Sequence, residues 1–260
     1  MLEIKAAHKV FYAGQPDEKH ALDGLNMILG TGDFGIVIGS NGAGKSSMLN
    51  AVSGSLPLDS GQIVVNGDNL SGTPVHARAK RIARVFQDPM LGTAASMTVA
   101  ENLLLADLRA SGRRLRRGLT PERRIKYRDR ISVLGLGLED RLDTSVELLS
   151  GGQRQSLSLI MAVSGQPDVL LLDEHTAALD PRTADIVMGA TIRAIEAFDL
   201  TTLMVTHNMQ HAVDYGNRVF MMDAGKLRVE ISGEEKQNIT VPDLIEYFVV
   251  KSDQMLLAGE

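Results

Sequence analysis

The most specific chemistry in this chain sits in eight residues, Gly39-Ser40-Asn41-Gly42-Ala43-Gly44-Lys45-Ser46. A glycine, four residues, then Gly-Lys-Ser suits a loop that wraps a row of phosphates. Glycines let the backbone approach without Cβ clashes, successive amides point inward as an anion nest, and a helix N-terminus behind them adds a favourable dipole. In such a loop Lys45 reaches the β- and γ-phosphates, the Ser46 hydroxyl ligates Mg²⁺, and Ser47 is placed to help with the α-phosphate. This spacing marks a nucleotide site. A second cluster closes the apolar run Val169-Leu170-Leu171-Leu172 with Asp173-Glu174. A buried strand that delivers Asp173 beside phosphates can hold Mg²⁺ through water, and Glu174, at the carboxyl end of the strand, can polarise an attacking water. His207 ends the run Leu203-Met204-Val205, so it emerges at the same sheet edge and can contact the γ-phosphate. His207 and His211 also share a helical face, but the glutamate of the zinc pattern H-E-x-x-H is missing between them, and no zinc is expected.

These groups need elements that bring them to one edge. Phe34 to Ile38 is a short apolar run bounded by glycines and predicts a buried parallel strand. Lys45 to Val52 predicts a helix that stops at Gly54. Leu2 to His8 predicts an opening strand, and Ile63-Val64-Val65 a strand ending in the turn Asn66-Gly67-Asp68. Further buried strands are expected at Ala83–Phe86, Val169–Leu172, Leu203–Thr206 and Val219–Met222. Strands alternating with helical stretches predict an α/β domain. From about Thr98 to Ile160 the pattern is helical, opened by the capping-box sequence Thr98-Val99-Ala100-Glu101, and reads as a helical lobe inserted into the core.

The 260 residues predict one large domain or two intimately packed lobes, and a 44% hydrophobic content can fill a core. The absence of cysteine excludes disulfides, thiolate metal centres and a thiol nucleophile. No apolar run is long enough to span a membrane, and the first residues lack a secretory pattern, so a cytoplasmic location is expected. The net charge of −5 argues against a nucleic-acid coat. Between residues 109 and 130, however, ten Lys or Arg stand against two acidic residues. A solvated helical surface is the favoured reading of that window, and docking to acidic headgroups or an acidic partner is the other.

Leu149-Ser150-Gly151-Gly152-Gln153 resembles the signature motif of ATP-binding cassette (ABC) ATPases, and it reads physically as a second helix N-terminus able to hold an anion. Phe86-Gln87-Asp88 resembles the family's Q-loop, Ala178-Leu179-Asp180 its D-loop, and Val205-Thr206-His207 its switch histidine. The resemblance spans about Leu2 to Lys226. It implies a P-loop NTPase (RecA-like) core with a helical lobe and a small antiparallel β subdomain. The cassette would occupy residues 1–250, with the α/β core at about 1–90 and 160–225, the helical subdomain at about 91–159, and a short extension at 226–260. It further implies ATP and Mg²⁺ as ligands, with Glu174 as base, His207 at the γ-phosphate and Lys45 stabilising developing charge. Ser46, Gln87 and Asp173 would serve the metal, Phe11 or its neighbour Tyr12 would stack on adenine, and Ser150 and Gly152 would act across a head-to-tail dimer.

In the same terms, the chain would be a transporter subunit held at the cytoplasmic face of the membrane by permease subunits. The subgroup it looks like works with solute-binding proteins, some for aromatic amino acids. Import is the leading reading. An exporter or lipid-extracting cassette and a soluble nucleic-acid- or ribosome-remodelling ATPase are the alternatives. One departure stands out: where the family usually has proline after the glutamate, this chain has His175, for which an exposed turn residue is the favoured reading and a titratable group that affects pH dependence the other.

Overall fold

A computed structural model describes residues 1–111 and 118–247. Two sheets form the frame. The strands β1 (Leu2–Phe11), β2 (Lys19–Leu29), β4 (Ser60–Val65) and β5 (Asp68–Asn69) make an antiparallel sheet in the order β2-β1-β4-β5. The second sheet runs β10-β9-β3-β8-β7-β6. It comprises β3 (Phe34–Gly39), β6 (Ile82–Val85), β7 (Val169–Asp173), β8 (Thr202–Val205), β9 (Arg218–Asp223) and β10 (Lys226–Ser232). All its pairings are parallel except β9 with β10.

Period-2 alternation sends neighbouring side chains of this sheet to opposite faces, and both faces are buried, which is why its strands read as unbroken apolar runs. Ile36, Ile38, Leu170, Leu172, Met204, Val219 and Met221 join one core. Val37, Val169, Leu171, Leu203, Val205, Phe220 and Met222 join the other. The first core continues into the helical part, and the second is closed by the antiparallel sheet and by α1 (Lys45–Ser53). The short helix α2 (Val75–Arg78) precedes β6.

The helical lobe holds α3 (Val99–Ser111), α4 (Pro121–Ser132) and α5 (Gly151–Val163). The capping box at Thr98 is present: its N–H and Oγ1 both donate to Glu101 Oε2, at 2.8 and 2.9 Å. After β7 come α6 (Pro181–Phe198), α7 (Met209–Asp214) and α8 (Gly233–Asn238), with a further helical stretch at 241–247. No helix among the described residues is long and apolar enough to cross a membrane.

The extension expected from residue 226 begins inside the fold instead. β10 pairs with β9 from Lys226↔Asp223 to Ser232↔Arg218, so the core runs past 225. Of the basic window, 112–117 lie outside the described residues. On α4, Arg124 pairs with Asp143 at 2.8 Å, while Lys126 and Arg130 pair with Asp107 at 3.5 and 3.0 Å. These three cations are engaged within the lobe itself.

Candidate active site

β3 runs into the loop and Lys45 opens α1, giving the strand–loop–helix that phosphate binding needs. Gly44 caps α1 with φ 99°, and a Cβ there would lie 2.4 Å from the Ala21 carbonyl oxygen. Backbone angle and close approach both demand glycine at this point. Lys45 is only 7% exposed, and its Nζ donates to the carbonyls of Gly39 and Ser40 at 2.7 and 3.0 Å. Burial pushes the Lys45 pKa down, and the Glu174 carboxylate pulls it back up.

The loop lines a cleft of about 280 Å³ through Asn41 to Ser47, together with Phe11, Lys19, Ala21 and Glu174. Phe11 faces this cleft, whereas Tyr12 is 64% exposed and does not line it. Lys19 is a second cation at the cleft that the sequence reading missed. It sits opposite Phe11 in the β1–β2 register, and β2 is interrupted in sequence by Asp23-Gly24, which hides its strand pattern.

Sheet order sets the rest of the site. β8 lies between β3 and β7, with Val205 in register with both Val37 and Asp173, so the exits of all three strands are side by side. The Glu174 N–H donates to the Val205 carbonyl at 3.0 Å, and the Thr206 N–H to the Val37 carbonyl at 3.2 Å. Glu174 Oε2 then lies 3.3 Å from His207 Nδ1, with Glu174 half-buried and His207 exposed. Thus Glu174 and His207 meet as their strand positions predict. His211 turns away, contacting Thr206 Oγ1 at 3.4 Å and the edge of Tyr215.

Asp173 has a partner that no sequence pattern singles out. Arg84 Nη2 on β6 lies 2.5 Å from its Oδ2, while Nη1 donates to Asn50 Oδ1 of α1 at 2.7 Å. The guanidinium carbon stands 4.9 Å from the Phe86 ring centroid, a cation–π distance. One side chain therefore ties the helix behind the phosphate loop to the strand that carries Asp173. Truncation in Arg84→Met leaves a largely buried carboxylate without this cation. Stability should fall by about 1–3 kcal/mol, as read by denaturant unfolding, and ATP should restore part of it through binding the folded state.

The remaining expected residues lie elsewhere. Gln87 is exposed just beyond β6 and does not line the cleft. Ser150 caps α5 in a capping box: its Oγ accepts from the Gln153 N–H at 3.3 Å, and Gln153 Oε1 accepts from the Ser150 N–H at 3.1 Å. A Cβ on Gly152 would lie 2.5 Å from Thr183 Cγ2, so this glycine also lets α5 approach α6. Asp180 caps α6, accepting from the Thr183 N–H at 3.1 Å. None of Ser150, Gly151, Gly152, Gln153 or Asp180 lines the cleft.

His175 overturns its sequence reading. It is 2% exposed, not a surface turn residue, and desolvation with repulsion from His211 lowers its pKa to about 4. Its ring is held against α6, where Thr191 offers a hydrogen-bond partner.

The cleft suits a polyphosphate: a glycine-bearing loop, two lysines and a helix N-terminus converge on it. Among the described residues no group of three or more His, Cys, Asp or Glu is placed to hold a metal ion. Ser46 lines the cleft, whereas Asp173, one residue before the cleft-lining Glu174, does not and has its carboxylate on Arg84; a hydroxyl and a carboxylate are the oxygen donors that Mg²⁺ takes alongside phosphate oxygens and water.

The family model described as ABC transporter matches residues 22–177, which include the phosphate loop, Asp173-Glu174 and the Ser150 helix start. The chain belongs to the ABC transporter ATPase family. It is therefore an ATP-binding, ATP-hydrolysing cassette. It is 42% identical to a tyrosine transport ATP-binding protein of Clostridioides difficile, over 95% of this chain and 98% of the relative. It is 32% identical to the methionine import ATP-binding protein MetN of Vibrio cholerae, over 87% of this chain and 64% of that protein. A solved dimeric structure of a bacterial ABC transporter cassette superposes with a TM-score of 0.73 at 25% identity, covering 89% of this cassette and 98% of the other. The α/β core with its helical lobe and antiparallel sheet agrees with the P-loop fold that the motifs imply.

Proposed function

We propose that this cassette is the ATPase subunit of a membrane importer and works as a head-to-tail dimer with ATP at the interface. The observation that carries the dimer is the separation within one chain of two anion-binding helix starts. α1 faces the cleft with Glu174, whereas the Ser150 start of α5 lies outside it. A second copy that presents Ser150, Gly151, Gly152 and Gln153 to the phosphates completes the site, and the dimeric cassette of similar fold supports that arrangement. Import is supported by the relatives named for tyrosine transport and methionine import.

In this reading the loop amides and Lys45 bind the phosphates, Phe11 stacks on adenine, and Glu174 takes a proton from water while His207 holds the γ-phosphate end in place. Mg²⁺, when bound, neutralises charge developing between the β- and γ-phosphates. Ser46, Asp173 and Gln87 would hold or sense it.

A permease fits the exposed apolar surface beside Gln87. Leu91 and Leu148 are each 70% exposed, Met90 and Met97 are exposed nearby, and the Val146 N–H to Met97 carbonyl bond at 3.0 Å joins the two segments. The subunit would thus sit at the cytoplasmic face of the membrane, and a solute-binding protein would complete the system outside. Affinity purification from native membranes in mild detergent is expected to recover a polytopic permease. Recovery only from the soluble fraction, with nucleic acid or ribosomes attached, would overturn the transport reading.

A further inference from the structure

His175 follows Glu174 directly, yet it faces the protein interior. Its Nε2 lies 3.0 Å from Thr191 Oγ1 in the middle of α6, and that same hydroxyl donates its proton to the Val187 carbonyl at 2.9 Å. With its one proton committed, Thr191 can only accept from the ring, so His175 carries its proton on Nε2.

Glu174 itself is a non-glycine residue in the left-handed region, with φ 45°. Such a conformation costs roughly 1–3 kcal/mol and persists only where the surroundings over-determine it. On one side the determinant is visible in the N–H bond from Glu174 to β8. On the other side the next side chain is His175, anchored sixteen residues away on α6. An apolar side chain would fill the same volume, but it would not fix its direction. A buried imidazole with a single oriented acceptor does, because leaving its N–H unsatisfied is costly.

We propose that His175 is a positioning residue: through Thr191 it locks the turn that aims the Glu174 carboxylate at the phosphate loop and His207. The proposal rests on the reading of Glu174 as the base. It replaces local stiffening of this turn by a tertiary hydrogen bond, which makes α6 part of the apparatus that sets the base.

Thr191→Val keeps the side-chain volume and removes the acceptor, and His175→Leu removes the donor. Each is expected to lower kcat about tenfold through misplacement of the base, while KM and the Kd for ATP stay within about twofold of wild type. The double variant should be no worse than either single change, and Thr191→Ser, which keeps the hydroxyl, should restore kcat. In the Glu174→Gln background, Thr191→Val should change residual turnover little, since there is no base left to misplace. Independently of any variant, ¹⁵N spectra of the wild-type imidazole should report the neutral Nε2–H form.

Wild-type kcat in folded Thr191→Val or His175→Leu, or an Nδ1–H tautomer in the wild-type spectrum, would overturn the inference. So would additive losses in kcat that track the folded fraction. Wild-type turnover in Glu174→Gln would instead remove the base reading on which the inference stands, and the two failures are thereby told apart.

Discussion

Glu174→Gln is expected to lower ATP turnover by about 10²–10⁴-fold, the usual contribution of a positioned general base, with the affinity for ATP retained. The substitution conserves shape: the backbone N–H stays bonded to the Val205 carbonyl, and the amide can still occupy the position 3.3 Å from His207 Nδ1. What it removes is the carboxylate proposed to accept a proton from water. Because Glu174 lines the same cleft as the phosphate loop, loss of the base does not remove the loop, Lys45 or Lys19 from the phosphates. The nucleotide should then remain bound and hold two copies together. Single-turnover phosphate release, equilibrium ATP binding and sedimentation of the variant with ATP would check each part. Turnover at the wild-type level would take Glu174 out of the role assigned to it.

The parts of this site that were legible in sequence are those whose physics is local. Gly39 to Ser46 carries its own conformational demands, and the apolar runs ending at Asp173 and before His207 state where a buried strand stops. Parallel pairing then places those stops at one edge. The Ser150–Gln153 capping box is equally local, because donor and acceptor lie three residues apart. What escaped depends on partners distant in sequence. His175 reads as a turn residue until Thr191 is folded against it. Arg84 is one unremarked residue of the expected strand Ala83–Phe86 until Asp173 and Asn50 close on it from two other elements.

β2 escaped for a related reason. Gly24, at φ 67°, and the register shifts between Ile4 and Lys9 of β1 break the alternation by which a strand is recognised. With β2 went Lys19, although its charge faces the cleft. β10 escaped because its exposed edge alternates with charged residues, Lys226, Arg228 and Glu230, while only Ile231 is fully buried.

Lys45→Ala carries the other large effect, and it falls on binding where Glu174→Gln falls on chemistry. The Lys45 ammonium is held almost out of solvent by two carbonyls of the loop, Gly39 and Ser40, which satisfy two of its three donors. Desolvation lowers its pKa, so the protein bears the cost of placing a cation here before any ligand arrives. A phosphate oxygen drawing on that cation makes a charge-assisted contact worth about 1.5–3 kcal/mol. ATP affinity should therefore weaken by roughly ten- to a hundredfold on truncation. The loop itself should persist, since the Ala43 N–H still donates to the Ser40 carbonyl at 3.2 Å and Gly44 still caps α1. Stability should change little or even rise, because a buried charge is removed without orphaning a carboxylate. Titration calorimetry with ATP alongside thermal unfolding separates these effects: weaker binding in a protein that melts as the wild type does is the expected pair. Unchanged affinity would mean that the loop amides and Lys19 suffice to hold the phosphates, and would overturn the assignment of Lys45.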